Sequence, residues 1–339
     1  MERRAFITLT GAALVGFPRV ARATGGLDIA APESPHAIRV LLASGAFEPP
    51  QHIDAWRFAW DGRTYRGAFA TTLLADGRRA LINTLPLDTY LYGVLSKEVS
   101  ATWAPGAQQA QALVSRTYAL LKIRPDRDYD VVASEGDQLY GGIESETIEG
   151  RAAVDATAGT IVTYAGAPAR VAFSACCGGR TADAADVWNA AYPYLPSIAD
   201  PHCTGTPGFS WQAEVPYGSV RSAFGPRIDA IGSLRSVDVR SDDPADRPSG
   251  IAFVGSSGAF ETTPKAFRSA LGPGVIRSAF VRTVALRGAG DGAVLAIDGT
   301  GHGHGVGLCQ WGARVMGEAG ASAADIVAFY LPGTALGRA

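Results

Sequence analysis

The sequence predicts an α+β fold, with helices packed on a β-rich body and a small β-rich segment ahead of them. Three observations carry this expectation. Residues 24–84 hold short apolar runs separated by the turn pairs Asp61-Gly62 and Asp76-Gly77, which suit hairpins. Residues 87–122 show helical spacing interrupted once, at Pro105-Gly106. From Thr157 the pattern turns to strands and turns, until two closing helices near the end.

Each element follows from its residues. Arg3 and Arg4 precede Ala5, Phe6 and Ile7, an apolar stretch runs from Leu9 to Phe17, and Ala21-Arg22-Ala23 forms a small-x-small cleavage site. Residues 1–23 therefore read as an export signal similar to the twin-arginine type, which implies a periplasmic or other cell-envelope location. In residues 24–84, strands are expected at Ile38–Leu42, Thr64–Thr72 and Arg79–Thr84. A helix is expected from Leu87 to about Lys97, with Asp88 as its N-cap. A longer helix, Ala107 to about Lys122, places Ala110, Val114, Thr117 and Leu121 on one face. Glu98 then falls at a helix end beside a turn, where a carboxylate can point into a cleft. Thr160–Tyr164 and Ala169–Phe173 bracket Gly166–Pro168 as a hairpin. Further strands are expected at Ser236–Val239, Phe280–Leu286 and Ala293–Ile297. A helix from Gln310 to Ala319 is closed by Gly320, and Ser322 with Asp325 opens a last one that Pro332 and Gly333 stop. No internal repeat is evident.

Composition bounds the function. The chain has 339 residues, 47% apolar and 18% charged, enough for about two domains at roughly 150 residues each. This excludes a disordered tail, and 41 Gly and 20 Pro without a strict triplet exclude collagen. No apolar run reaches the roughly 18 to 20 residues of a spanning helix, so no stable membrane span is expected in the mature chain. The formal charge is −2, and loss of residues 1–23, which hold four Arg against one Glu, makes it more negative. Nothing here supports nucleic-acid binding.

The four cysteines are Cys176, Cys177, Cys203 and Cys309. In an oxidising compartment an even count favours disulfides. Strain argues against joining the adjacent pair, so Cys203 is expected to bond one of the pair and Cys309 the other. A zinc site of Cys176, Cys177, Cys203 and His202 is the rival, although its spacing matches no usual finger or ribbon.

The segment GTGHGHGVGLCQWGA, residues 299–313, is the strongest local anomaly. Its alternating glycines let another backbone or a flat ligand approach closely, and an extended course would project His302 and His304 together on one face. Neither GxGxxG nor GxxxxGK is present. No third metal ligand is apparent beside the two histidines.

The run LPLDTYLYGVLSKEVSATWAPGAQQAQALVSRTYAL, residues 85–120, resembles the opening signature of the stage II sporulation protein D family (SpoIID/LytB domain). The family's acidic residue corresponds to Glu98, followed by Ala110-Gln111-Ala112 and Arg116-Thr117-Tyr118-Ala119. DQLYGG at 137–142, SACCGGRTADAADVW at 174–188, PYL at 193–195, DP at 200–201, FRSALGPGVIRSAFV at 267–281 and GHGVGLCQWGA at 303–313 follow in the family's order. The resemblance implies a catalytic domain over residues 85–337. It also implies a peptidoglycan lytic transglycosylase that cleaves the β-1,4 bond between N-acetylmuramic acid and N-acetylglucosamine, with Glu98 as the one general acid and base. Trp103 and Tyr92 are candidates for an apolar wall that keeps Glu98 protonated.

The same resemblance implies substrate contacts. Arg116 is expected to hold a carboxylate or carbonyl, with an ion pair inside the fold as the alternative. Gln138 and Tyr140 are expected to meet sugar hydroxyls, Ser174 and Thr181 to flank the cleft, and His304 to bond substrate or hold Glu98. Tyr194 and Gln310 complete the set, Tyr194 with a core position as its alternative. Some sporulation members bind zinc just ahead of the Gln-x-Tyr block, but residues 125–137 here hold no Cys or His, so that site is not carried over and no metal or cofactor is expected. Expected partners are peptidoglycan glycan strands and a cell-wall amidase. Two other functions stay open: a non-catalytic glycan-binding module that enhances or positions an amidase, and a structural envelope protein.

Overall fold

The computed structural model describes residues 36–243 and 246–339; the expected export signal at 1–23 lies outside them. The chain enters through a sheet whose strands run in the order Ala68–Leu73, Arg79–Pro86, Ala37–Ser44, Val131–Val132. The first three are antiparallel, and the last joins Ala37–Ser44 in parallel. The turn pairs act as expected. Asp61 and Gly62 adopt φ of 49° and 71° between Arg57–Trp60 and Arg63–Arg66, a geometry that matches the twist of a two-residue hairpin. The expected strand Thr64–Thr72 is instead two strands, broken at Gly67 (φ +90°), where a Cβ would lie 2.4 Å from the Thr84 carbonyl oxygen.

Strand Arg79–Pro86 runs without a loop into helix α1 (Leu87–Glu98). Leu87 through Leu95 are all buried, so α1 is a core helix that meets solvent only in its last turn, at Lys97. Each fully buried Leu contributes about 1.5–3 kcal/mol. Asp88 does not cap it: Pro86 holds the N-cap position, and Asp88 pairs with Arg116. Helix α2 (Pro105–Lys122) starts two residues earlier than expected because Pro105 occupies its first turn, where the missing N–H costs nothing. Helix α3 (Ile148–Ala156) has a weak sequence signature: Thr147 caps it, Ile148 is 72% exposed, and only Gly150, Ala153 and Val154 are buried.

The expected hairpin after α3 is shorter than its pattern suggested. Thr160–Tyr164 pairs with Ala167–Pro168 around Ala165-Gly166, and with Ala335–Arg338 on its other side. The following run leaves this sheet, and Phe173–Ser174 pairs in parallel with Leu308–Cys309. Helix α4 (Ala184–Trp188) follows. Residues 210–300 build a second apolar core. Ser210–Pro216, Val294–Thr300 and Val281–Arg287 form one sheet, Leu234–Arg240, Gly250–Gly255 and Ala259–Thr262 another. Helices α5 (Tyr217–Phe224), α6 (Pro226–Asp229) and α7 (Pro264–Leu271) accompany them. Phe253, Phe267 and Trp211 belong to that core. Helix α8 (Gln310–Glu318) and helix α9 (Ala323–Tyr330) close the chain as expected, α9 with both hydrogen bonds of the Ser322/Asp325 capping box. Helices and strands in several small sheets make the fold α+β. No helix among the described residues is long and apolar enough to cross a membrane.

Candidate functional site

A groove of about 1140 Å³ gathers Glu98 from the end of α1, Tyr118 and Lys122 from α2, the segment 135–139, the segment 170–175, Trp188, and the histidine–glycine run before α8. Helix α1 is buried from Leu87 to Leu95, so the packed core fixes the place to which its last residue is delivered. The half-buried Glu98 carboxylate accepts from Gln310 Nε2 at 3.4 Å and from the Leu139 backbone N–H. Burial raises its pKa above the ordinary carboxylate value, and these two donors pull the other way. Its place at a helix C-terminus, where the dipole is negative, also disfavours the anion.

Gln310 is the first residue of α8, and Cys309 caps that helix by accepting from the Gly312 N–H at 3.4 Å. The Gln310 amide also approaches Gln111 Oε1 at 3.5 Å, and Gln111 Nε2 donates to Ser115 Oγ at 3.0 Å. A buried relay from α2 therefore orients the group that meets Glu98.

The glycine run departs from the extended course its spacing suggested. Gly301, Gly303, Gly305 and Gly307 all take positive φ, from 72° to 100°, so every second residue is left-handed. Close approach is nevertheless what these glycines permit: a Cβ on Gly307 would lie 2.3 Å from the Ala172 carbonyl oxygen, and one on Gly301 2.9 Å from that of Cys176. His304 lines the groove with Nδ1 accepting from the Val306 N–H at 3.0 Å and a further bond to the Phe173 backbone. Burial pushes its pKa down to about 4, so the ring is neutral at ordinary pH. Its centroid lies 5.1 Å from that of Trp188. His302 is exposed and also lines the groove. Ser174 lines it too, and its Oγ has no partner among the described residues.

Glu98, Ser174, His304 and Gln310 thus come together; the other expected contacts do not. Arg116 is 1% exposed. Its donors go to Asp88 Oδ1 at 2.6 Å, Thr157 Oγ1 and the Thr160 carbonyl at 3.1 Å, and the Val154 carbonyl at 3.0 Å. It ties α1, α2, α3 and the following strand together with four of its five N–H donors, and its burial keeps it away from substrate. Tyr140 is buried against Tyr90 and Tyr65 and donates to Asn83 Oδ1 at 3.1 Å. Gln138 accepts from the Tyr90 hydroxyl at 3.3 Å inside the same core. Thr181 fastens the chain to the Pro196 carbonyl and the Ile198 N–H, and the Tyr194 hydroxyl accepts from the Arg170 N–H. Of the residues expected to wall Glu98, Trp103 packs on Trp311 with centroids 5.4 Å apart, and Tyr92 donates to Asp155. Neither lines the groove.

Sequence reading missed several groove or relay residues. Gln111 stood in the Ala110-Gln111-Ala112 motif, which gave it no role of its own. Tyr118 donates to Asp137 at 2.7 Å, and Lys122 Nζ meets the same carboxylate at 2.7 Å. Trp188, 43% exposed, stands at the end of α4. Arg170 and Arg268 add positive charge to the lining.

The expected disulfides are not formed: all four cysteines are buried free thiols. The zinc alternative with His202 also changes, since that ring packs edge-on against Phe329 with centroids 5.2 Å apart. Cys177, Cys203, Cys309 and Asp200 are instead the one group among the described residues able to surround a metal ion.

Residues 75–164 match the family model described as stage II sporulation protein, SpoIID. An uncharacterized protein of Brachyspira hyodysenteriae is 30% identical, across 81% of this chain and 73% of that protein. Stage II sporulation protein D of Bacillus subtilis is 25% identical across 76% of each chain. The amidase enhancer of the same species is 28% identical across 73% of this chain and 40% of its own length. With a buried helix ending in Glu98 and a glycine run leading into Gln310, the chain belongs to the stage II sporulation protein D family.

Proposed function

We propose that this chain is a peptidoglycan lytic transglycosylase of the cell envelope, with residues 85–337 as the catalytic domain and the strands of 37–86 supporting α1. The observation that carries the reading is Glu98: a half-buried carboxyl with raised pKa, open to a sugar-sized groove and held by Gln310. Hydrolysing glycosidases pair two carboxylates. Here Asp137, also in the groove lining, is engaged by Tyr118, Lys122 and the Val132 N–H, and Glu135 at the rim is exposed to solvent; the reading assigns both proton transfers to Glu98.

The chemistry needs only one carboxyl group. Protonated Glu98 gives its proton to the glycosidic oxygen as the C1–O bond breaks, and the leaving N-acetylglucosamine departs with a free hydroxyl. The C6 hydroxyl of the muramyl ring then bonds to C1 and returns its proton to Glu98, forming a 1,6-anhydro end. The Ser174 hydroxyl supplies hydrogen bonds to sugar, while neutral His304, its two ring nitrogens held by the Val306 N–H and the Phe173 backbone, shapes the groove wall beside Trp188. Trp188 offers a face for a pyranose, and Arg170 and Arg268 attract the carboxylates of the polymer. Digestion of purified glycan strands by the wild type and by Glu98→Gln, read by mass, tests the reading. Anhydro ends from the wild type alone support it, and binding without cleavage by both overturns it.

Similarity to the amidase enhancer supports a second reading, in which the groove binds glycan and the chain enhances a partner amidase without cleaving. On that reading Glu98→Gln leaves enhancement unchanged.

A further inference from the structure

The cysteine cluster lies apart from the groove, and its geometry is that of a metal centre. The Sγ atoms of Cys177, Cys203 and Cys309 and a carboxylate oxygen of Asp200 all lie within 4.8 Å of one another, and all four residues are buried. Cys177 Sγ is 3.5 Å from Cys203 Sγ and 3.1 Å from Asp200 Oδ2. Zinc–sulfur bonds of about 2.3 Å in a tetrahedron put sulfurs about 3.8 Å apart.

The surroundings suit thiolates. Cys203 Sγ accepts from the Gly179 N–H at 3.3 Å, and Cys309 Sγ from the Cys177 and Gly312 N–H groups at 3.2 and 3.4 Å. Asp200 is oriented from both sides, Oδ2 by the Tyr330 hydroxyl at 2.9 Å and Oδ1 by the His202 N–H at 2.9 Å. Such outer hydrogen bonds fix ligand direction and favour the deprotonated forms. Gly312 has to be glycine here, because a Cβ would lie 1.9 Å from the Tyr330 hydroxyl and 2.7 Å from Asp200 Oδ2. The Arg247 guanidinium donates to the Cys177 carbonyl at 3.1 Å and sets positive charge beside the group.

We propose that Cys177, Cys203, Cys309 and Asp200 form a structural zinc site. Three thiols release their protons as the ion binds, and three thiolates with one carboxylate leave it a net charge of −2, which Arg247 and the N–H groups offset. Four protein ligands leave no open position, so the site is structural and takes no part in catalysis. Cys176, whose thiol meets those of Cys203 and Cys309, stays outside the ligand set. The ion ties together two segments that serve the groove: Cys177 follows Ser174 closely, and Cys309 caps the helix that begins with Gln310.

The test is the metal content of the full chain, purified without chelator, by plasma mass spectrometry. About one zinc per chain is expected. Cys177→Ser, Cys203→Ser and Cys309→Ser each lose most of it, whereas Cys176→Ser keeps it. Since the serine variants can fail to fold, the wild type is also exchanged with Co²⁺, where tetrahedral ligand-field bands with sulfur-to-cobalt charge transfer are expected. A metal-free wild type whose intact mass is two hydrogens lighter per disulfide overturns the proposal. So does a cobalt form without thiolate bands, or equal zinc loss in Cys176→Ser.

Discussion

Gln310 donates its side-chain amide to Glu98 across 3.4 Å, although 212 positions separate the two in the chain. The contact joins the end of the first helix to the start of the eighth, and the relay through Gln111 and Ser115 keeps the amide aimed. Because the donor favours the anion while burial disfavours it, Gln310 sets how strongly Glu98 holds its proton.

Gln310→Ala should therefore raise the Glu98 pKa further. The alkaline limb of the rate profile on glycan strands is expected to move to higher pH, with turnover lower by roughly tenfold from lost orientation. An unmoved limb would show that the amide does not govern the carboxyl.

Glu98→Gln is expected to lower anhydro-product turnover by about 10²–10⁴-fold, the usual contribution of a general acid, with glycan affinity retained. Single-turnover cleavage and a separate binding isotherm check the two parts.

The same variant has a thermodynamic signature. The folded pKa of Glu98 is raised, so between the unfolded and folded values the native state binds more protons, and wild-type stability falls as pH rises through that window. Glu98→Gln lacks this loss. Its melting temperature relative to wild type should climb across the window and level off above it. A difference independent of pH would contradict the burial argument.

Arg116→Met leaves Asp88 charged and buried without its partner, and a cost of about 3–5 kcal/mol is expected in denaturant unfolding. Changing Asp88→Leu together with Arg116→Met should recover much of it. A substrate-binding Arg116 would instead show weakened glycan affinity at unchanged stability.

Gly307→Ala meets both a left-handed φ of +72° and a carbonyl 2.3 Å from the new Cβ, whereas Gly166→Ala has φ of +80° and open space. The second should cost about 1 kcal/mol, and the first at least twice that, by thermal melts of both variants.

Helices α1, α2, α8 and α9 were legible because caps, prolines and apolar spacing are local. Helices α3 to α7 were not: α4 and α6 are barely a turn long, and α3 buries only three small residues. The groove was legible at Glu98, Ser174, His304 and Gln310, each in a distinctive motif. Arg116, Tyr140 and Thr181 belong to equally distinctive motifs, yet their side chains turn inward, because a motif marks a constrained position without saying whether fold or substrate imposes the constraint. The thiol cluster was legible in part: the even cysteine count brought Cys203 and Cys309 to the adjacent pair, but as disulfides and without Asp200. Asp200 and Cys309 meet only after residues more than a hundred positions apart converge, and no spacing rule records that.

The contact between Glu98 and Gln310 also orders events during biosynthesis. A growing polypeptide emerges N-terminus first, so the helix bearing Glu98 leaves the ribosome long before its partner, and loop closure over so long a separation comes late. Until residues 301–310 emerge and the left-handed glycines dock on the backbone around Ala172, no completed groove exists, and an unfinished chain holds its acid but has nothing with which to aim it.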